Sequence, residues 1–206
     1  MEALTSPAII PYLLRWAHIM FGILWLGHLY FFNLVNVPFQ GGLDKELKPK
    51  VNPALLLRAF WWFRWSAMYT FIFGLLLFVW HYITPEHNMS YPEGGMTGRA
   101  MWIEFGMLLG IIMWFNVWFV IWPRQKKLLG GMISGTPPAD GPALAATAGK
   151  ASRFNTYASG PMLFGMVGAT HFTTMSGPVL VVITILGLGF WFGMIKRSFK
   201  VPTTVE

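Results

Sequence analysis

Cysteine is absent from the 206 residues of this chain, and its absence removes several kinds of chemistry. Without cysteine the chain forms no disulfide, no iron–sulfur cluster and no thiolate zinc site, and it attaches no haem through a Cys-x-x-Cys-His motif. Histidine, which occurs five times, is therefore the strongest metal ligand that remains.

Charged residues are also scarce. They make up 11% of the chain, whereas soluble domains carry about 25%. Their place is taken by 18 Phe, 11 Trp and 13 Met. This composition excludes a soluble globular domain, because such side chains need the lipid bilayer as their solvent.

The stretches without Asp, Glu, Lys or Arg mark the segments that can enter a bilayer. They lie at 16–43, 65–85, 105–123 and 154–195. The last is twice the length of one span and contains the helix breaker Gly177-Pro178, which predicts two helices. We expect an all-α, polytopic membrane helix bundle, a single domain over 1–206, with five transmembrane helices. The spans are predicted near 12–35, 60–83, 100–122, 155–172 and 178–196.

The connection at 123–153 contains Gly130-Gly131 and Pro137-Pro138, and we expect it to be a mobile cytoplasmic loop. No cleavable signal peptide is expected. The first apolar segment is too long for one and has no basic residues before it.

The distribution of basic residues predicts the orientation. Five spans place the two termini on opposite faces, and 13 of the 15 Lys and Arg then lie on the face of the C-terminus. By the positive-inside rule this face is cytoplasmic and the N-terminus is outside. We therefore expect a bacterial inner-membrane protein whose partners are lipid and other membrane subunits. Because the net charge of +7 is confined to one face, nucleic acid is not expected as a partner.

Ionisable side chains inside the predicted spans are costly in lipid, so each is a candidate functional residue. His18, His81, Glu104 and His171 all fall in the outer half of the bilayer, because alternate spans run in opposite directions. Convergence at one depth is what a haem or metal site requires. The role of Glu104 stays open.

His18 has the sequence context of an axial haem ligand. Gly22 follows one turn later on the same helical face, where the lack of a side chain would admit a flat macrocycle. A b-type haem needs a second histidine from another helix. His171 is the expected partner, and His81 is the alternative.

Arg15 and Arg99 are the two basic residues of the predicted outer face, and they would pair with the haem propionates. The alternative to haem is that the histidines lie at the membrane interface and bond to backbone or water. Copper is a weaker alternative. Met89, Met96 and Met175 also lie on the outer side, but methionine serves mostly as packing material.

Other polar residues of the spans have structural explanations. His28 lies about 15 Å along the helix from His18 and cannot share a metal with it, so we expect a packing or partner-contact role. His87 is expected in a solvated outer loop. Arg58 and Arg64 flank a tryptophan-rich segment that anchors a helix at the cytoplasmic headgroups. Cross-helix hydrogen bonds are expected of the cytoplasmic-side amides, namely Asn33, Asn36 and Asn116.

Four blocks of the sequence resemble, in order, the urate oxidase N-terminal domain family, which is the membrane part of cytochrome-linked bacterial urate oxidase. The first block is Arg15-Trp16-Ala17-His18 followed by Gly22-Ile23-Leu24-Trp25 and Tyr30-Phe31-Phe32-Asn33, and the second is Arg58-Ala59-Phe60-Trp61-Trp62-Phe63-Arg64-Trp65. The third is Asn116 to Lys127, and the fourth runs from Ser152-Arg153-Phe154-Asn155-Thr156-Tyr157 to His171.

The resemblance implies an electron-transfer context. His18 and His171 match positions of the family, whereas His81 matches none of its motifs. The full-length urate enzyme carries a C-terminal cytochrome c domain, and this chain contains no Cys-x-x-Cys-His. The resemblance therefore implies a short, stand-alone relative.

Three functions follow as hypotheses. The first is a membrane subunit of a respiratory or photosynthetic electron-transfer complex, with haem b near the periplasmic side and a cytochrome-containing partner. The second is oxidation of urate or a related small molecule, coupled to a separate cytochrome c. The third is a structural accessory subunit with no cofactor.

Overall fold

Five helices make up the part of the chain that the computed structural model describes, which is residues 8–84, 97–172 and 174–203. They are α1 (Ile9–Gly42), α2 (Lys48–Ile83), α3 (Gly98–Ser134), α4 (Gly141–His171) and α5 (Gly177–Ser198). None of the described residues forms a strand, and the all-α fold predicted from the sequence is confirmed.

The helix ends follow the local sequence. The Thr97 hydroxyl accepts a hydrogen bond from the backbone N–H of Ala100 at 3.2 Å and caps the start of α3. Gly135 adopts a left-handed conformation with φ of 71° and ends that helix. The break between α4 and α5 lies just before Gly177, and Pro178 then occupies the first turn of α5, where its missing N–H costs nothing.

The prediction of a loop at 123–153 is wrong for most of its length. Within it only the turn at 135–140 lies outside the helices, because α3 runs to Ser134 and α4 begins at Gly141. The turn packs closely on α3, since a Cβ at Gly131 would lie 2.7 Å from Pro138. The alanines that follow are the strongest helix formers and extend α4 toward its N-terminus.

Four of the described helices, α1, α2, α3 and α5, are long and apolar enough to cross a membrane. Large apolar side chains cover their outer faces. Ile23 is 65% exposed, Ile185 62% and Leu186 66%. Such a surface is stable against lipid and unstable in water, so the chain is a multi-pass membrane helix bundle.

Helix α4 differs because its polar side chains face inward. Asn155, Thr156 and Ser159 are fully buried, and they lie on one stripe at helical spacing. This polar stripe packs against neighbouring helices, whereas Val167 on another face of α4 is 57% exposed. The predicted fourth span, 155–172, covers the C-terminal part of this helix, and its passage through the bilayer stays a prediction.

The bundle is built from two closely packed helix pairs. In the first pair Phe32 of α1 stacks on Phe60 of α2 with ring centroids 4.4 Å apart, next to the buried Phe63. In the second pair α3 and α4 touch through backbone, since a Cβ at Gly106 would lie 3.0 Å from the backbone nitrogen of Met166. Helix α5 packs on α4, where a Cβ at Gly187 would lie 2.9 Å from Pro161.

Two hydrogen bonds between α1 and α4 show which ends of these two helices lie on the same side of the bundle. The Tyr30 hydroxyl of α1 donates to Ser159 of α4 at 3.0 Å, and the Asn33 amide donates to Ser152 at 2.8 Å. The residue number rises along α1 while it falls along α4, so these helices are antiparallel.

Candidate functional site

His18 lies half-buried between α1 and α2, and contacts with α2 fix its ring. Its Nδ1 lies 2.8 Å from the backbone carbonyl oxygen of Thr70. Because a carbonyl only accepts, Nδ1 carries the proton and donates, and in the neutral ring the lone pair is on Nε2. The ring also rests on Gly74, where a Cβ would lie 2.9 Å from the His18 Cε1. Only glycine at position 74 leaves room for this orientation.

Arg15 and His81 extend the same site along the α1–α2 pair. Arg15 lies one turn before His18 on α1, and its guanidinium Nη2 donates to the His81 Nε2 at 3.1 Å. This hydrogen bond engages the Nε2 lone pair of His81, which a metal would otherwise use. The structure therefore joins Arg15 to His81 by a hydrogen bond, and the predicted role of these residues and His18 at a haem stays a prediction.

Gly22 lies against α2. A Cβ at this position would meet the Thr70 methyl group at 3.8 Å, which is ordinary van der Waals contact. The glycine that makes room for the imidazole is Gly74 of the opposite helix.

His171 is the last residue of α4 and is exposed. His18 precedes Tyr30 by twelve residues, and His171 follows Ser159 by the same number, which is about 18 Å along each helix. Since Tyr30 and Ser159 are hydrogen-bonded and the helices are antiparallel, both histidines lie at a similar height, on the same side of that bond. They belong to different helix pairs.

Arg99 stands at the start of α3 and is half-buried. Its Nε is buried and has no hydrogen-bond partner among the described residues. The neighbouring Trp102 donates its indole N–H to the Thr174 carbonyl at 3.2 Å, and its ring lies 6.0 Å from that of Phe172. The start of α3 and the end of α4, where His171 lies, are therefore adjacent.

Metal ligands are sparse in the described part of the chain. No group of three or more His, Asp or Glu there is arranged to hold a metal ion. Met175 packs against the apolar cluster around Trp102, which is a packing role. His87, Met89 and Met96 lie outside the described residues.

A second polar region lies further along the bundle, toward the predicted cytoplasmic side. The Asn116 amide donates to the Asn155 Oδ1 at 2.8 Å, and the Asn155 amide donates to the Met113 carbonyl at 2.9 Å. The cross-helix bonds expected of Asn33 and Asn116 are present, whereas Asn36 accepts a bond from Gln40 of its own helix at 3.4 Å. This network satisfies buried groups and holds α4 in place.

Sequence reasoning missed the α4 half of this network. The missed residues share a polar side chain and a spacing of three or four, and they are Ser152, Asn155, Thr156 and Ser159. That spacing in a predicted span is the signal that could have found them. Sequence reasoning also missed the contact between Gly74 and the His18 ring, for which no local signal exists.

Arg64, which is predicted to anchor a helix at the headgroups, also contacts two tryptophans of α3. Its guanidinium carbon lies 3.9 Å from the ring centroid of Trp122 and 5.3 Å from that of Trp118. These cation–π contacts join α2 to α3.

Comparison with known proteins gives one match. A model of the family described as urate oxidase N-terminal matches residues 89–204. No curated protein matches, and no solved structure matches. The matched range covers more than half of the chain. It includes Arg99 and His171, as well as the third and fourth blocks identified in the sequence, while α1 and α2 precede it.

Proposed function

The chain belongs to the urate oxidase N-terminal family, and from this membership we propose that it is an integral membrane subunit of an electron-transfer complex. In this proposal a b-type haem lies near the predicted outer face, held by His18 and His171. A bis-histidine b-type haem carries single electrons, and a cytochrome-containing complex of the bacterial inner membrane is the expected partner.

The observation that carries the proposal is the hydrogen bond from the His18 Nδ1 to the Thr70 carbonyl. Histidines that bind metals almost always donate their other ring N–H to a carbonyl or carboxylate, which fixes the tautomer and the ring orientation. His18 has this arrangement, and Gly74 provides a cradle of matching shape. The residues present thus fit an axial ligand at His18.

The surrounding charges favour His171 over His81 as the second ligand. The Nε2 of His81 accepts from Arg15, whereas His171 is exposed at a height similar to that of His18. Arg99 supplies a buried donor that has no partner among the described residues, and a propionate carboxylate would satisfy it. Arg15 would hold the other propionate only after exchanging its bond to His81.

The spectrum of the purified protein tests the proposal. The full chain is purified in detergent from haem-replete cells, and a reduced-minus-oxidised visible spectrum is recorded together with a pyridine haemochrome assay. We expect about one b-type haem per chain. His18→Ala and His171→Ala should each lose the band, because bis-histidine ligation needs both nitrogens.

The matched control is His87→Ala, which removes a histidine from the segment expected to be solvated and should keep the band. Absence of any haem in the wild type contradicts the proposal, as does a band that survives in both His18→Ala and His171→Ala.

Oxidation of urate or a related small molecule is the second candidate, and the family match favours it. It predicts that urate added to the purified protein reduces cytochrome c in the assay. Such reduction without bound haem would replace the first proposal with the second.

A further inference from the structure

A groove between α1 and α2 is separate from the His18 site. Its volume is about 370 Å³, and it is lined by Gly27, His28 and Phe31 of α1 and by Leu55, Arg58 and Trp62 of α2. Gly27 lies nine residues beyond His18, which is about 13 Å along the helix toward the predicted cytoplasmic side. The proposed haem site makes no use of His28, an ionisable residue inside a span.

His28 presents a hydrogen-bond acceptor to the groove. Its Nδ1 lies 2.7 Å from the Leu24 carbonyl oxygen of its own helix. The carbonyl can only accept, so Nδ1 is the protonated nitrogen, and in the neutral ring Nε2 carries the lone pair. A ligand that meets Nε2 must therefore donate a hydrogen.

Arg58 presents a hydrogen-bond donor to the same groove. Its Nη1 donates to the Ala54 carbonyl at 2.6 Å, which holds the guanidinium close to the helix and leaves its other N–H groups as donors. Arg58 is exposed at the groove edge. A ligand that meets both polar groups needs a donor at one position and an acceptor at another.

The walls between these polar groups are apolar and exposed, and they lie around the cytoplasmic end of the predicted span 60–83. Leu55 is 41% exposed and Trp62 49% exposed, and both are side chains of a membrane-spanning helix. A Cβ at Gly27 would meet no atom within 4 Å, so this position leaves the groove open. The ligand that reaches such a groove is lipid-soluble and carries a flat or compact polar head.

We propose that this groove binds the ring of a quinol, with one ring hydroxyl donating to the His28 Nε2 and the oxygen across the ring accepting from Arg58. A quinol has a hydroxyl on each side of an aromatic ring and an isoprenoid tail that lies in the bilayer. The phosphate group of a lipid offers only acceptors, which suit Arg58 but oppose the Nε2 lone pair, so the phosphate alone does not satisfy both residues. The inference does not depend on the bound haem.

Equilibrium dialysis of the full chain in phosphatidylcholine nanodiscs tests the inference. The probes are decylubiquinol under anaerobic conditions and decylubiquinone, and empty nanodiscs measure the partition into lipid alone. We expect one saturable site per chain. Quinol should bind about fivefold more tightly than quinone, because only the reduced ring donates to Nε2.

Two substitutions separate the polar contacts. His28→Phe should keep the ring shape, lower quinol affinity about fivefold and abolish the preference for quinol over quinone. Arg58→Met should lower the affinity for both probes about tenfold. Its control is Arg124→Met, because the Arg124 Nη1 also donates to the carbonyl four residues back, at 2.9 Å, but lies outside the groove. That variant should bind as the wild type does.

A third substitution fills the groove without disturbing the fold. Gly27→Ile should abolish saturable binding, whereas Gly189→Ile should retain it, since neither position has an atom within 4 Å of its Cβ. Equal binding by Gly27→Ile and the wild type overturns the proposal, and so does binding to loaded discs no greater than to empty ones. If phosphatidylglycerol displaces the quinol and His28→Phe binds quinol as the wild type does, the groove is assigned to a lipid headgroup instead. A spectrum without a haem band would not change these binding results. The haem proposal and the quinol proposal can therefore be contradicted independently.

Discussion

At the scale of single residues, the candidate site depends on one histidine and one glycine from different helices. Sequence reasoning places His18, His81 and His171 at one depth, because the direction of each successive span is predictable. It does not place Gly74 under the His18 ring, because that contact depends on which helices are neighbours and on how each is rotated. The depth of a residue in the bilayer follows from its position along its span, whereas its contacts with other helices follow from how the helices pack together.

Gly74→Ala tests the cradle. The new Cβ would lie 2.9 Å from the His18 Cε1 and 3.0 Å from its Nδ1, so the ring must swing away and lose its bond to the Thr70 carbonyl. We expect the free energy of unfolding to fall by about 1 kcal/mol, the worth of one hydrogen bond. Haem occupancy should fall more sharply, because the ligand loses its orientation.

Thermal unfolding and haemochrome content measure the two effects of that substitution. Gly189→Ala is the control, since its Cβ meets nothing within 4 Å and both quantities should stay at the wild-type value. Full haem occupancy in Gly74→Ala would show that the cradle does not orient a ligand.

At the scale of helices, composition predicts that a helix is present better than it predicts where the helix begins and ends. The run 154–195 is predicted to break at Gly177-Pro178, and the chain does leave helical structure between α4 and α5. The helical parts of 123–153 are missed because the prediction gives more weight to the glycine and proline pairs, which favour a loop, than to the alanines, which favour a helix. In the folded chain the close contact of Gly131 with Pro138 confines the turn to six residues.

Gly106 and Gly110 of α3 give a prediction at this scale, because these two glycines lie one helical turn apart but have different surroundings. A Cβ at Gly106 would lie 3.0 Å from the Met166 nitrogen and 3.2 Å from the Met162 oxygen, whereas one at Gly110 would meet nothing within 4 Å. Backbone atoms cannot move aside as side chains do. Gly106→Val should therefore force α3 and α4 apart and cost about 2 kcal/mol or more.

The matched variant Gly110→Val should stay within about 0.5 kcal/mol of the wild type, as expected of a substitution away from packing contacts. Circular dichroism in detergent, recorded as a function of temperature, compares the two. Equal losses of Tm would mean that both glycines lie in close helix contacts and that α3 also packs on its other face.

At the scale of the whole molecule, the charge distribution predicts an orientation. The turn at 135–140 joins α3 to α4, and the basic residues on either side of it predict a cytoplasmic position for it by the positive-inside rule. The chain has no cysteine, so a single introduced thiol is the only one that a reagent can label.

Asp140→Cys tests this orientation, because Asp140 is exposed just before α4. A membrane-impermeant maleimide should label it only after the cells are opened. Ser176→Cys, an exposed position before α5 at the opposite end of α4, should be labelled in intact cells. The reverse pattern would invert the topology, and labelling of both positions from one side would mean that α4 does not cross the bilayer.

The inward-facing polar stripe of α4 has a consequence for biosynthesis. A translocation channel releases a segment into lipid according to its hydropathy. Helix α4 is not among the described helices whose length and hydropathy suffice to cross a membrane. Its Asn155 and Ser159 find their partners only on α1 and α3, which leave the ribosome earlier. The predicted entry of α4 into the bilayer therefore depends on helices already in place, and α5, synthesised last, then packs against α4 at Gly160 and Pro161.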